Sequence, residues 1–456
     1  MKIREIFRER DPTQGNIIKN TLGMTNPLWI NTGFWIIVHL LNLYFVSRLG
    51  IEAIATVAIG GTAFMLLMAP IQGIVTATYG MIGSFNRQDP VGLDRLVKQI
   101  LSTTWIVSII IALCGYFLAP VLLGLLRVEP EVISLSVTYL RICAIGGIIS
   151  FSLWPINGMI RSTRDMFRPM LIMGLVLGLQ LFFDYSLILG NFGFPKMGVA
   201  GAAISLALSA GIGAGVGFWM LIKGRLFIKI NLKNWQDFKI KFKTLKEIFK
   251  IAGFDTFEGI GRTIIQMVIL GIVAFFGTPA LAAFSIGQRL FKYALMPGMD
   301  LGTTTAITVS NNLKTGSIKR AERSSWMVSG LNVLIMGIVG LVLFIFANQI
   351  IGIFSQAPEV LTVGVNYLRI TIFGYIFFAA GIILRRAFAG AKDTKTPMIV
   401  YFGMAGLQIG LALVLSKFFG FGINGVWIAI LAGMIFYGSA MAGLFKKGYW
   451  KPKKTI

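Results

Sequence analysis

Apolar stretches of about 20 residues recur along the whole chain, separated by short polar turns, and each is long enough to cross a bilayer core as a helix. Twelve are read, centred near residues 36, 68, 110, 148, 179, 210, 262, 295, 335, 373, 407 and 434. They predict an all-α integral membrane protein with six spans before a basic segment and six after it. The expected segments are an N-terminal stretch 1–20, a first lobe 21–223, a connector 224–246, a second lobe 247–445 and a basic tail 446–456. Met1–Gly15 is too polar for the core of a cleavable signal, so span 1 is expected to insert uncleaved.

The pattern repeats. Pro130-Glu131-Val132 returns 228 residues later as Pro358-Glu359-Val360, and Tyr139-Leu140-Arg141-Ile142 as Tyr367-Leu368-Arg369-Ile370. Arg164-Asp165 with Pro169-Met170 returns as Lys392-Asp393 with Pro397-Met398, and Leu179-Gln180 as Leu407-Gln408. Nearer the start of each half the offset is 227: Leu49-Gly50 matches Phe276-Gly277, and Pro70 matches Pro297. Two homologous halves in one membrane chain is a common plan of secondary transporters, with the substrate path at the repeat interface.

Composition agrees with this picture, with 56% hydrophobic and only 13% charged residues. The net charge of +24 would suit nucleic acid, but its placement argues otherwise. Of 42 Lys and Arg, 33 fall in the tails and even-numbered loops, and only Arg48, Arg127, Lys196 and Lys417 in or near the odd ones. That is the positive-inside pattern with both termini cytoplasmic, in a prokaryotic inner membrane, and no nucleic-acid partner is needed to explain it. The basic run Lys223–Lys250 is expected to lie along the anionic leaflet. One His and two scattered Cys (Cys114, Cys143) make no structural metal set and no disulfide framework. No phosphate-binding glycine loop is present, so ATP does not drive this chain directly, and no cofactor is expected.

Proline at depth opens or kinks a helix. Pro27, Pro70, Pro155 and Pro297 are such positions, and the repeat-matched Pro70 and Pro297 are expected to be paired bends, with Pro27, Pro70 and Pro297 as hinges. The Gly298/Gly302 pair is read with the prolines as a break at depth, and the Gly198–Ala203 and Gly211–Gly217 runs fit close helix contact.

Charges at depth are costly, about 2.5 kcal/mol or more each, and need a reason. Asp184 in span 5 is the first; its repeat counterpart is Ala412, so the shared fold does not require it. Gln180 lies one turn before it, span 1 adds Asn31, His39 and Asn42, and span 4 adds Asn157. A helix-capping Asp184 and a hydrogen-bonded packing His39 are the bland alternatives. In the second half Asp255, Glu258 and Arg262 lie in span 7, and Arg289, Lys292 and Asp300 in span 8. A neutralising ion-pair network is the expected reading, and a second cation or substrate site the alternative.

Several motifs, in order at the right spans, resemble the multidrug and toxic compound extrusion (MATE) family over residues 20–445. They are Asn42–Gly50 with Ala53 and Ala55, Gly158-Met159-Ile160-Arg161, Arg164–Met170, Ala280–Arg289 and Gly390–Met398. The resemblance implies two six-helix lobes about a pseudo-twofold axis, enclosing a cavity that alternates between membrane faces. It implies export of amphiphilic, often cationic, small molecules in exchange for inward protons or sodium. It also implies a coupling site in the first lobe: Asp184 matches the span 5 acid, Gln180 and Asn157 match polar partners, and Asn42 stands where many members have aspartate. With one carboxylate in place of two, proton coupling is favoured over sodium. Asp255 or Glu258 lies near a span 7 acid found in other members.

The competing functions are a flippase for a lipid-linked oligosaccharide or other lipid, with Arg262, Arg289 and Lys292 meeting phosphates, and a non-transporting receptor. An enzyme is not expected, since no nucleophile–base pair or metal constellation appears. The expected partners are amphiphilic substrates and membrane lipids, and the expected state is a monomer.

Overall fold

The computed structural model describes residues 11–85, 89–124, 130–224 and 228–451. Arg127, the first ten residues, residues 225–227 of the connector and the last five of the tail lie outside them. Among the described residues the chain is helical, without strands. Span 1 is Ile17–Ser47, so its helix begins inside the stretch expected as a tail. Span 2 is Ile51–Leu67 plus Ala69–Gly83, span 3 Pro90–Gly124, span 4 Pro130–Ser150 plus Leu153–Ser162, span 5 Phe167–Phe183 with a π turn Asp184–Ile188, and span 6 Gly198–Ile222. The second half repeats the order: span 7 Phe242–Ala274, span 8 Thr278–Lys314, span 9 Ile318–Ile345, span 10 Pro358–Gly390, span 11 Lys395–Leu413 with a π turn Val414–Phe418, and span 12 Gly422–Lys446. Eleven of these are apolar enough to cross a membrane, counting the bent span 2 as one. Span 8 has ample length, 37 residues, but its Arg, Lys, Asp and Thr residues make it too polar for that test.

Two compact units emerge, one of residues 23–256 and one of 11–22 with 257–456, besides the ten outside the described range. Each carries the repeat in its local geometry. Gly50 (φ 111°) and Gly277 (φ 93°) turn the chain into spans 2 and 8, conformations that glycine adopts without a Cβ penalty. Arg164 (φ 76°) and Lys392 (φ 66°) turn it after spans 4 and 10. The aspartate after each then caps the next helix: Asp165 Oδ1 accepts from the N–H groups of Phe167 and Arg168 at 3.1 and 3.0 Å, and Asp393 Oδ1 from that of Thr396 at 3.0 Å. A Cβ on Gly60 would fall 2.6 Å from the Tyr139 ring, and one on its counterpart Gly287 2.1 Å from Tyr367. The same close approach is thus kept in both units.

The repeat-matched prolines differ in local setting. Pro70 opens the second segment of span 2, where the axis turns by 45°. Its counterpart Pro297 lies within the uninterrupted helix of span 8. Span 4 likewise breaks before Pro155, whereas span 10 is continuous. Span 10 has Ile383 in place of Pro155, and beside Pro297 in span 8 Gly298 lies close to Asn332 and Gly302 to Arg386. Pro27 is buried within the single helix of span 1.

The connector's main chain is docked on the start of span 3. Lys98 is fully buried, pairs with Asp94 at 2.7 Å and donates to the carbonyls of Asn231 (2.8 Å) and Asn234 (3.3 Å). Gln99 Nε2 donates to the carbonyls of Asp237 and Lys239, and its Oε1 accepts from the N–H of Lys241. Trp105 stacks on Phe238. In the second unit, Arg320 plays a similar part for the N-terminal stretch, donating to the carbonyls of Pro12 (3.0 Å) and Gly15 (2.7 Å).

Candidate functional site: a carboxylate in the first unit and an ion cluster in the second

Asp184 is the first residue of the π turn that ends span 5 and has no exposed surface. Its Oδ2 accepts from Nδ2 of Asn42 in span 1 at 2.9 Å, and its Oδ1 is buried without a hydrogen-bond partner. π turns often mark functional sites, but span 11 has one too, so the turn belongs to the repeat and the carboxylate does not. Gln180 is buried one turn earlier, and its main-chain carbonyl accepts from Ser205 Oγ at 3.0 Å, fastening span 6 beside the site. A buried carboxylate with one amide donor and one open oxygen can take up a cation at low cost, because neutralisation removes an under-solvated charge.

His39 and Asn157 lie outside this contact. His39 is exposed, its ring tilted against that of Trp35 with centroids 3.7 Å apart and its Nδ1 3.1 Å from the Trp35 carbonyl. Asn157 is buried with Oδ1 unpartnered, and Asn31 with both polar side-chain atoms unpartnered.

In the second unit, Glu258 is 1% exposed, and its Oε1 receives two guanidinium groups. Arg262 Nη2 reaches it at 2.8 Å, and Arg385 Nε at 2.7 Å in a charge contact without hydrogen-bond alignment. Arg262 also lies over the ring of Tyr401, 5.5 Å from its centroid. Both guanidiniums sit on one oxygen of the Glu258 carboxylate. Asp255 is not part of this cluster: it belongs to the first unit, where Thr76 donates to it at 2.9 Å. Arg289 and Lys292 are exposed on span 8 and make no ion pair with Glu258, while Asp300 is half-buried there. Sequence reasoning missed Arg385, because it was counted with the loop after span 10. The helix runs on to Gly390 and carries Arg385 inside.

The repeat had a signal that would have found it. At the 227 offset Glu258 falls on Asn31, and at 228 Arg385 falls on Asn157. The ion pair of one unit thus stands where the other has two asparagines. Conversely, Asn42 and Asp184 fall on Ile269 and Ala412, both buried and apolar.

Comparison with known proteins agrees with this architecture. The family model MatE matches residues 27–186 and 256–414. The chain is 25% identical to a Thermotoga maritima protein named probable multidrug resistance protein NorM, over 99% of this chain and 94% of that one. It is 24% identical to the Bacillus subtilis protein named probable multidrug resistance protein YoeA, over 94% and 93%. Among solved structures it is similar in fold to a MOP superfamily transporter from Pyrococcus furiosus, described by the reverse polarity of its binding pocket (TM-score 0.88, 21% identity, 99% of each chain). It is equally similar to an outward-facing multidrug resistance MATE family transporter of the MOP superfamily (TM-score 0.86, 21% identity, 99% of each chain). The two matched stretches of the family model each hold one copy of the internal repeat, and the chain belongs to the MatE family.

Proposed function

We propose that this chain is a cation-coupled antiporter that exports amphiphilic small molecules by alternating access, with Asp184 as the coupling carboxylate and a proton as the coupling ion. The observation that carries the reading is the buried Asn42–Asp184 contact with its open Oδ1, at a place where the repeat is apolar. One carboxylate with a neutral partner is discharged by one proton, whereas sodium needs several oxygens to replace its water. Supporting the reading as well are the relatives named as multidrug resistance proteins and the positive-inside distribution, which favours both termini in the cytoplasm of a prokaryotic cell.

The test is dye efflux from proteoliposomes under an imposed proton gradient or an imposed sodium gradient. Wild type is expected to respond to the proton gradient, and Asp184→Asn to lose that response while keeping its melting temperature. Full gradient-driven efflux by Asp184→Asn would refute the assignment of the carboxylate, and drive by sodium alone would refute the proton.

A further inference from the structure

The second unit carries charge that the repeat does not ask for. Past Asp255, and apart from the helix ends and the repeated Arg141/Arg369 pair, spans 7, 8 and 10 hold Arg262, Arg289, Lys292, Arg385 and Arg386 against Glu258 and Asp300. Their counterparts in the first unit are Trp35, Thr62, Met65, Asn157, Gly158, Asn31 and Gly73, none of them charged. The same helices therefore pack without any of these ions, and a packing role does not explain a basic excess. Cations kept at membrane depth face water or an anion, since hydrocarbon would not tolerate them.

Within that excess, the Glu258 cluster has the geometry of a receptor. One carboxylate oxygen is shared by two guanidinium groups, so Glu258 holds both side chains in place. The side chain of Glu258 is 1% exposed and that of Arg385 13%, whereas that of Arg262 is 40% exposed. Arg262 is thus anchored at one Nη and lies over the face of Tyr401, with a large part of its side chain exposed although its Nε is buried. A planar guanidinium with free donors fits a phosphate or carboxylate. Apolar surface adjoins it: the ring of Phe402 lies over Gly261, where a Cβ would fall 2.5 Å from it, and Phe402 is itself exposed.

We propose that the Glu258–Arg262–Arg385 cluster is a headgroup site that binds the phosphate or carboxylate of an amphiphilic substrate, with Arg262 making the contact, Glu258 and Arg385 positioning it and Phe402 meeting the tail. The proposal rests on the export reading only in calling this ligand a substrate, and binding tests it without any gradient.

The experiment uses the full chain in nanodiscs of zwitterionic lipid, with empty discs as the baseline. Octyl phosphate, octyltrimethylammonium and inorganic phosphate are titrated by calorimetry. Octyl phosphate is expected to bind about tenfold more tightly than either of the others, and Arg262→Gln to weaken it by about tenfold or more, the loss typical of a charge-assisted contact. Arg262→Gln leaves Arg385 in place on Glu258. The triple variant Glu258→Asn/Arg262→Gln/Arg385→Asn removes all three charges, strands none of them, and is expected to show the same loss of binding in a folded protein. Asp184→Asn is expected to leave octyl phosphate binding unchanged, which separates this site from the coupling site. Equal affinity for the two octyl compounds, binding of inorganic phosphate as tight as that of octyl phosphate, or full binding by the folded triple variant each overturns the proposal.

Discussion

Asn42 and Asp184 meet across 2.9 Å in the first unit, and the repeat places Ile269 and Ala412 at the same two positions in the second. The reverse holds for Glu258 and Arg385, 2.7 Å apart, whose counterparts are Asn31 and Asn157. On span 1 the two levels, Asn31 and Asn42, are eleven residues apart, about 16 Å along a helix. Each unit has made a different level of one shared scaffold polar and left the other neutral. The division of labour argued above, cation in one unit and headgroup in the other, follows that division of positions.

Asn42→Asp would set a second carboxylate within hydrogen-bonding distance of Asp184. Two carboxylates that close do not both ionise without a cation between them. The variant is expected to bind more than one cation per cycle, seen as a Hill coefficient rising from about one towards two in efflux against proton concentration. An unchanged coefficient with intact transport would count against Asn42 as part of the coupling site.

Removing one member of the buried ion pair should cost more than removing both. Glu258→Asn leaves two guanidinium groups unmatched and is expected to lower stability by about 3–5 kcal/mol. Glu258→Asn/Arg385→Asn copies the pair found in the first unit and is expected to recover much of that loss. Thermal melts of the two singles and the double form a cycle, and simple additivity would show that the contact is not energetically coupled.

Lys98→Met is expected to strand Asp94 and free the connector carbonyls of Asn231 and Asn234. Loss of a buried charge partner typically costs about 3–5 kcal/mol. The checks are a lower melting temperature and faster amide exchange confined to residues 228–241. Uniform exchange across the protein would instead mean that the clamp stabilises the whole unit.

The repeated glycine–tyrosine contact offers a matched pair with a control. Gly60→Ala and Gly287→Ala would each drive a methyl into a buried tyrosine ring, at an expected cost of about 1–3 kcal/mol. Gly61→Ala meets nothing within 4 Å and is expected to be neutral or slightly stabilising, by helix propensity. Thermal denaturation in detergent distinguishes them, and a Gly60→Ala as stable as Gly61→Ala would show that the ring yields.

The spans were legible because hydropathy over about 20 residues is a strong signal, and the polar span 8 was read among them. The register of Gly50 with Gly277 and Arg164 with Lys392 reappears as matching backbone turns. What composition could not reveal was where a helix ends. Two arginines near a basic loop look like loop residues, yet Arg385 is a turn inside span 10 and faces Glu258. Nor do residue types decide side: Asp255 and Glu258 are three residues apart, but one accepts from Thr76 in the first unit and the other holds arginines in the second. The two matched prolines also differ in setting, since a helix break adjoins Pro70 while Pro297 sits inside an unbroken helix.

The connector's attachment is made through carbonyl groups, which every residue has. Lys98 and Gln99 grip the main chain at Asn231, Asn234, Asp237 and Lys239, while the lysines at 229, 233, 239 and 241 point their charge to the surroundings. Spelling and shape are thereby uncoupled in this segment. Evolution can rewrite its surface letters, raising or lowering its positive charge to suit a given lipid mixture, without loosening its hold on span 3, whereas a single change at Lys98 would undo it.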